Sequence, residues 1–276
     1  MAEITSQPNR LRVVGSPTNP LIKVFRRALA EGTMRDGWLA VEGPLVVEEA
    51  LRAGERATVK SVLVSDNAVR RSQPLLDRLP KACEVTQTPD RLFRHLAQTE
   101  TPQGIAALVE LRATNREAVL GARDALLLVA CGLQDPGNLG TILRSVQAFG
   151  ASALITLAGT VSPFNPKAAR ASAGAMFHVP VLVGERAESL FPRLRAAGVR
   201  VVGTDRHSAV RINGADLRGR LAVLIGQEAA GLPPEIACQA EMLVSIPIRT
   251  GMDSLNAATA ASIFLYEAAR QREFRV

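Results

Sequence analysis

The sequence predicts two α/β domains in series, the second built on a parallel sheet. The chain has 276 residues, 47% of them hydrophobic, enough for a full core and more than one small domain requires. Short apolar runs alternate with segments of helical spacing, the pattern of strands joined by covering helices. Near the end, apolar runs at 221–225 and 242–248 each empty into a polar, glycine-bearing loop, at 226–231 and 249–251. In a parallel α/β sheet, ligands sit at such loops, outside the carboxyl ends of the strands.

Taken in order, the first twenty residues are polar, punctuated by Pro8, Pro17 and Pro20, and read as a loosely held arm. From Leu21 a helix is expected, with Lys23, Arg26 and Arg27 beside Leu21, Val24 and Phe25, and Arg35 continues the basic stretch. This is either a solvated helix face or a contact for phosphates. A strand at 38–41, a helix after Gly43-Pro44, a strand at 59–64 and a helix around 75–79 follow. A strand near 83–86, a helix at 89–96 and a strand at 105–111 complete a small α/β domain spanning 1–111. Residues 112–123, polar and charged, read as a linker.

The second domain, 124–276, opens with the continuous apolar run 125–131, suited to a strand buried on both faces. A turn at 134–138 leads into a helix from about 139 to 149, closed by Gly150. Strands at 153–157, 178–183 and 200–204 follow, with a helix around 190–197 between the last two. After the runs at 221–225 and 242–248, the latter broken by Pro247, Ser254-Leu255-Asn256 opens a long Ala-rich helical segment.

A net charge of +7 favours a polyanionic partner. With aromatics at only 4%, contacts to phosphate and shape are expected rather than a platform of stacked bases. No run approaches a membrane span and the first residues carry no apolar signal, so the expected compartment is the cytoplasm. Cys83, Cys131 and Cys238, like His95, His178 and His207, are scattered without metal-ligand spacing, and neither a metal nor a disulfide is expected. Gly132 and Gly137 have the spacing of a phosphate-binding loop, but Asn138 stands where its lysine is needed; G-x-G-x-x-G, G-x-S-x-G and H-E-x-x-H do not occur.

Three ordered motifs remain: Asn138-Leu-Gly140-Thr-Ile-Leu-Arg144, then Gly226-Gln-Glu228-Ala-Ala-Gly231, then Ile246-Pro-Ile248 with Ser254-Leu255-Asn256. Together they resemble the motifs of the SpoU family, RNA ribose 2'-O-methyltransferases of the SPOUT superfamily that use S-adenosylmethionine. The resemblance is strong over about 125–272. Asn165-Pro-Lys-Ala-Ala-Arg170-Ala-Ser172-Ala-Gly174 resembles a further family segment, in which small residues let backbones approach closely. Trp38-Leu-Ala-Val-Glu42-Gly43 and Thr101-Pro-Gln-Gly104 resemble the amino-terminal substrate-binding domain of some SpoU enzymes.

The resemblance implies a trefoil-knotted carboxyl-terminal domain beside a small amino-terminal RNA-binding α/β domain. It implies a homodimer, and the last helix, with Ala257, Ala258, Ala260, Ala261, Ile263, Phe264 and Leu265, is apolar around much of its circumference. Carried over residue by residue, Leu224, Ile225, Gly226, Gly231, Ile246, Ile248, Leu255 and Ala257 meet the cofactor. Asn138, Arg144, Glu228, Ser254 and Asn256 form the polar catalytic set, while Lys23, Arg26, Arg27, Arg35 and Arg249 meet RNA. Ile248 stands where the family commonly has methionine, which preserves an apolar wall.

A methyl bound to sulfonium is already activated, so the protein mainly positions the reactants and sets the electrostatics. An arginine with a pKa of about 12.5 or more costs roughly 7 kcal/mol to neutralise at pH 7. Arg144 is therefore expected to clamp the phosphate beside the target ribose rather than act as base. Ribosomal RNA is the expected substrate; transfer RNA, or a non-catalytic RNA-binding or assembly role for the same fold, are the alternatives.

Overall fold

The computed structural model describes residues 11–32, 38–228, 230–252 and 254–274. The chain divides into two compact units, Met1–Arg112 and Ala113–Val276.

In the first unit, β1 (Leu11–Val13), α1 (Pro20–Glu31), β2 (Trp38–Glu42), α2 (Pro44–Arg52) and β3 (Ala57–Ser65) are followed by α3 (Val69–Leu76), β4 (Glu84–Thr88), α4 (Asp90–Leu96) and β5 (Ile105–Leu111). The sheet order is β1-β4-β3-β5-β2. β1, β4 and β3 run parallel, while β5 is antiparallel to both β3 and β2. Side chains on a strand alternate between faces. Ala40, Leu63, Ala106 and Leu108 accordingly pack with Ile22, Phe25 and Leu29 of α1 and Phe93 and Leu96 of α4. Part of the stretch read as a loose arm is thus the edge strand β1, whose three residues are too few to show a period. The helix expected at 75–79 begins earlier, at Val69, with Pro74 inside it.

The second unit contains α5 (Arg116–Gly121), β6 (Leu126–Ala130), α6 (Pro136–Ala148), β7 (Ala153–Leu157), α7 (Pro166–Ala171), α8 (Ala175–His178), β8 (Val181–Glu185) and α9 (Ala187–Ala196). β9 (Arg200–Thr204), β10 (Leu221–Ile225), α10 (Pro234–Ala237), β11 (Met242–Val244) and α11 (Ala257–Gln271) complete it. The six strands, all parallel, stand in the order β11-β9-β10-β6-β7-β8. One face packs Leu127, Val129, Ile155, Val201 and Leu224 against Leu190, Phe191 and Leu194 of α9 and Ile236 of α10. Helices α6 and α11 pack on each other and against strands β7 and β10.

Four sequence readings shift in this unit. The strand expected at 178–183 runs Val181–Glu185, since His178 ends α8. The supposed linker carries α5, capped by the Asn115 carboxamide, and its Val119 and Leu120 are buried in the core. Helix α6 starts at Pro136 rather than 139: proline suits the first helical position, and the Asp135 carboxylate accepts the Gly137 N–H at 3.0 Å. The apolar run 242–248 is a strand only to Val244. Beyond it the Ser245 N–H donates to the Val210 carbonyl, and Pro247 has no N–H to extend a ladder.

Candidate active site

The ends of β9, β10 and β11 and the start of α11 enclose a cavity of about 410 Å³, within the range of small-molecule sites. Ile225, Ile246, Ile248, Leu255, Leu243 and Phe264 supply apolar walls; Thr204, Asp205, Glu228 and Ser254 supply polar groups. Gly226, Gly231 and Ala257 also line it. Leu224 does not. It is fully buried in the opposite core, because alternation turns it away from the face that Ile225 presents.

The turn after β10 is closed by two main-chain hydrogen bonds, Gln227 N–H to Gly231 O at 3.0 Å and Gly231 N–H to Gln227 O at 2.9 Å. Closure brings residue 226 against the far side of the loop: a Cβ there would overlap the Gly231 carbonyl and the Leu232 nitrogen. Gly231 itself has φ +68°, a conformation that favours glycine. The motif's two glycines thus shape the cavity floor by different means. The main-chain N–H groups of Ile246 and Leu255 donate to no described residue, leaving them free for a ligand.

At the mouth stand three polar side chains from three segments. Asn138, in the first turn of α6, donates from Nδ2 to Glu228 Oε1. Asn256 Nδ2 donates to Asn138 Oδ1 at 2.9 Å and, more distantly, to Glu228 Oε1 at 3.4 Å. Asn256 also caps α11, its Oδ1 accepting the N–H groups of Ala258 and Thr259 at 2.9 and 3.2 Å. The carboxamide of Asn256 is therefore held from both ends, which fixes its orientation.

Arg144 is absent from this trio. It is exposed and has no ion pair or hydrogen bond among the described residues. Within one chain neither Asn138 nor Asn256 hydrogen-bonds to it: six helical residues carry it roughly 240° around α6 from Asn138. Ser254 lies at the cavity, ahead of the helix that Asn256 caps. Gly140, the motif's glycine, works in packing: a Cβ would meet the Ala168 carbonyl and the Ser172 nitrogen, so its absence lets α6 lie against α7. Asp135, which caps α6, is held below the usual carboxylate range by hydrogen bonds from Lys167 Nζ at 2.9 Å and from the Gly137 N–H.

Among the basic residues, Lys23, Arg26, Arg27 and Arg249 are exposed; Arg35 lies outside the described residues. Thr204, Asp205 and His207 line the cavity and were not anticipated. They lie at and just beyond the end of β9, and the rule that drew attention to the ends of β10 and β11 would have found them there too. Cys131 is buried and its thiol pushed up to about 12 by burial, which makes it a poor nucleophile. No group of His, Cys, Asp and Glu able to hold a metal occurs among the described residues.

In the first unit, the buried Glu42 carboxylate accepts the Gln98 N–H at 2.9 Å and the Thr99 hydroxyl, tying the loop before β5 to the end of β2. Gly104 has φ +75°, and a side chain there would strike Ser65 and Ala68. The two short segments singled out in this domain therefore meet at one end of its sheet.

A parallel sheet whose last loops build an apolar cavity, beside a fixed carboxamide and carboxylate group, is the arrangement that the resemblance to the SpoU motifs implies for an S-adenosylmethionine-dependent RNA methyltransferase. The chain belongs to the SpoU rRNA Methylase family, whose pattern matches residues 125–266. Residues 19–107 match the MRM3-like substrate binding domain. A Bacillus subtilis relative, 23S rRNA (guanosine(2553)-2'-O)-methyltransferase RlmP, is 33% identical over 93% of this chain and 98% of its own. The 23S rRNA (uridine(2479)-2'-O)-methyltransferase of Streptomyces viridochromogenes is 33% identical over 85% of this chain and 79% of its own. Among solved structures, the AdoMet-bound rRNA methyltransferase of Sinorhizobium meliloti superposes with a TM-score of 0.81 at 31% identity, covering 95% of this chain and 98% of that one. Among the described residues, no helix is long and apolar enough to cross a membrane.

Proposed function

We propose that this protein methylates one ribose 2'-hydroxyl of 23S ribosomal RNA in the cytoplasm, as a homodimer. The observation that carries the reading is Glu228, which lines the apolar cavity and accepts hydrogen bonds from Asn138 and Asn256 at its mouth. Cofactor pocket and polar group are joined by one side chain. The named activities of the relatives from Bacillus subtilis and Streptomyces viridochromogenes support ribosomal RNA over transfer RNA.

S-adenosylmethionine, when bound, supplies the activated methyl group. Ile225, Ile246, Ile248 and Leu255, which line the cavity, would wall the adenine, and the main-chain N–H groups of Ile246 and Leu255, which donate to no described residue, would meet its polar edges. Asn138, Glu228 and Asn256 hold the mouth in one geometry and Ser254 meets the ribose. Arg144, exposed and without an ion pair among the described residues, clamps the phosphate beside the target ribose and stabilises charge developing on the hydroxyl oxygen. A phosphate oxygen or water takes the proton. Arg249, exposed beyond the cavity, adds a phosphate contact. Mapping ribose methylations in the rRNA and tRNA of a deletion strain tests the reading; one lost 2'-O-methyl in 23S rRNA is expected, and an unchanged 23S map refutes it.

The homodimer now rests on family resemblance more than on α11. Ala257, Ala258, Ala261, Phe264 and Leu265 are buried within their own chain, while Ala260 and Ile263 are only partly covered.

A further inference from the structure

The charges of the first unit are unevenly matched. Arg52 of α2 is paired with both Glu48 and Glu49 at 2.8 and 2.9 Å, and Arg78, just beyond α3, reaches Glu48 at 2.8 Å, while Arg70 and Arg71 of α3 are exposed and join no ion pair among the described residues. Helices α1 and α4 together carry more unmatched cations. Arg27 is paired with Glu31, but Lys23, Arg26, Arg91 and Arg94 are all exposed and join no ion pair among the described residues. The two helices pack against each other and bury their apolar sides on the same sheet face, through Ile22, Phe25 and Leu29 from one and Phe93 and Leu96 from the other. Their polar sides must then share one outward surface. Four unmatched cations on one surface repel one another unless a polyanion covers them, and flexible exposed cations suit phosphates, which need no base readout.

We infer that the α1–α4 surface is the RNA-backbone contact of the first unit, with Arg91 and Arg94 working alongside Lys23 and Arg26. The inference rests on the reading that the protein acts on ribosomal RNA, and it adds which surface carries the RNA and through which residues.

The test uses the full chain and transcribed 23S rRNA, with affinity measured across salt concentrations. Each lost phosphate contact lowers the slope of log affinity against log salt by about 0.7 to 0.9. The variant K23Q/R26Q/R91Q/R94Q should therefore lose about 3 from the slope and bind at least about tenfold more weakly near physiological salt. The pairs K23Q/R26Q and R91Q/R94Q should each lose about half of that change in slope, a result that a folding defect would not produce. R52Q/R78Q, which removes two ion-paired cations of the same unit, serves as control and should keep the parent slope. Calorimetry with S-adenosylmethionine checks that the second unit remains folded. A parent-like slope in the fourfold variant overturns the assignment of this surface while leaving the RNA reading standing. Salt-independent or absent binding of the rRNA by the parent overturns both together.

Discussion

Asn256 Nδ2 donates to Asn138 Oδ1 at 2.9 Å across a sequence separation of 118 residues, joining the cap of α11 to the first turn of α6. The same Asn256 side chain closes the first turn of α11 through its Oδ1. Structural and site roles thus meet in one carboxamide and can be separated by substitution. Asn256→Ala removes both, and should cost about 1 kcal/mol of stability through the lost cap together with most methyl transfer. Asn256→Asp keeps the cap but places a second carboxylate against Glu228. Its melting temperature should lie closer to the parent's while methylation stays low. Equal activity in the Asp variant and the parent would remove the carboxamide from the mechanism.

Arg144→Ala should bind S-adenosylmethionine nearly as well as the parent, because Arg144 does not line the cavity. Single-turnover methylation should slow by at least about a hundredfold, the scale of losing one preorganised contact to developing charge. Near-parent turnover would make Arg144 an ordinary solvated helix residue.

Gly226→Ala places a methyl into the Gly231 carbonyl and must open the loop. Cofactor affinity should fall at least about tenfold, roughly 1.4 kcal/mol, with a smaller change in overall stability. Gly251→Ala, where φ is +94° but nothing lies near the new methyl, should strain its turn without closing the cavity. Calorimetric titration of both variants separates a shaping role from general backbone strain.

Asp135 caps α6 and is held in its charged form by Lys167 and the Gly137 N–H. A carboxyl with a lowered folded-state pKa contributes stability above its unfolded value, near 4, and loses it as pH falls through the folded value. Asp135→Asn keeps a capping oxygen but not the charge. It should melt below the parent at pH 7, and the gap should close as the pH drops below about 4. A constant gap across that range would exclude the charge as the cause.

Light scattering at micromolar concentration should give the mass of two chains. A monomer would show that α11, mostly buried in its own unit, leaves no stable surface for a second copy.

Much of this protein was legible before any coordinates. The strand Ala153–Leu157 and the strand Leu221–Ile225 fall at the residues their apolar runs predict, because burial on both faces demands an unbroken apolar stretch. The glycines at 226 and 231 and the asparagines at 138 and 256 stood out through the order of their motifs. Element ends were harder: β1 is too short for a period, and α6 begins at the proline that seemed to belong to a turn.

Only the tertiary structure decided which of the marked residues meet. The sheet places β10 between β9 and β6, so the loops after β9, β10 and β11 surround one cavity, and Thr204 and His207 join a site that sequence motifs had not given them. It turned Leu224 into the opposite core by alternation, drew Asn138, Glu228 and Asn256 into mutual hydrogen bonds, and left Arg144 exposed and outside that group. Local spacing determines which residues form a strand, a cap or a tight loop, since those preferences act over a few neighbouring residues. The order of parallel strands is a long-range outcome of packing, and the composition of the site follows from it.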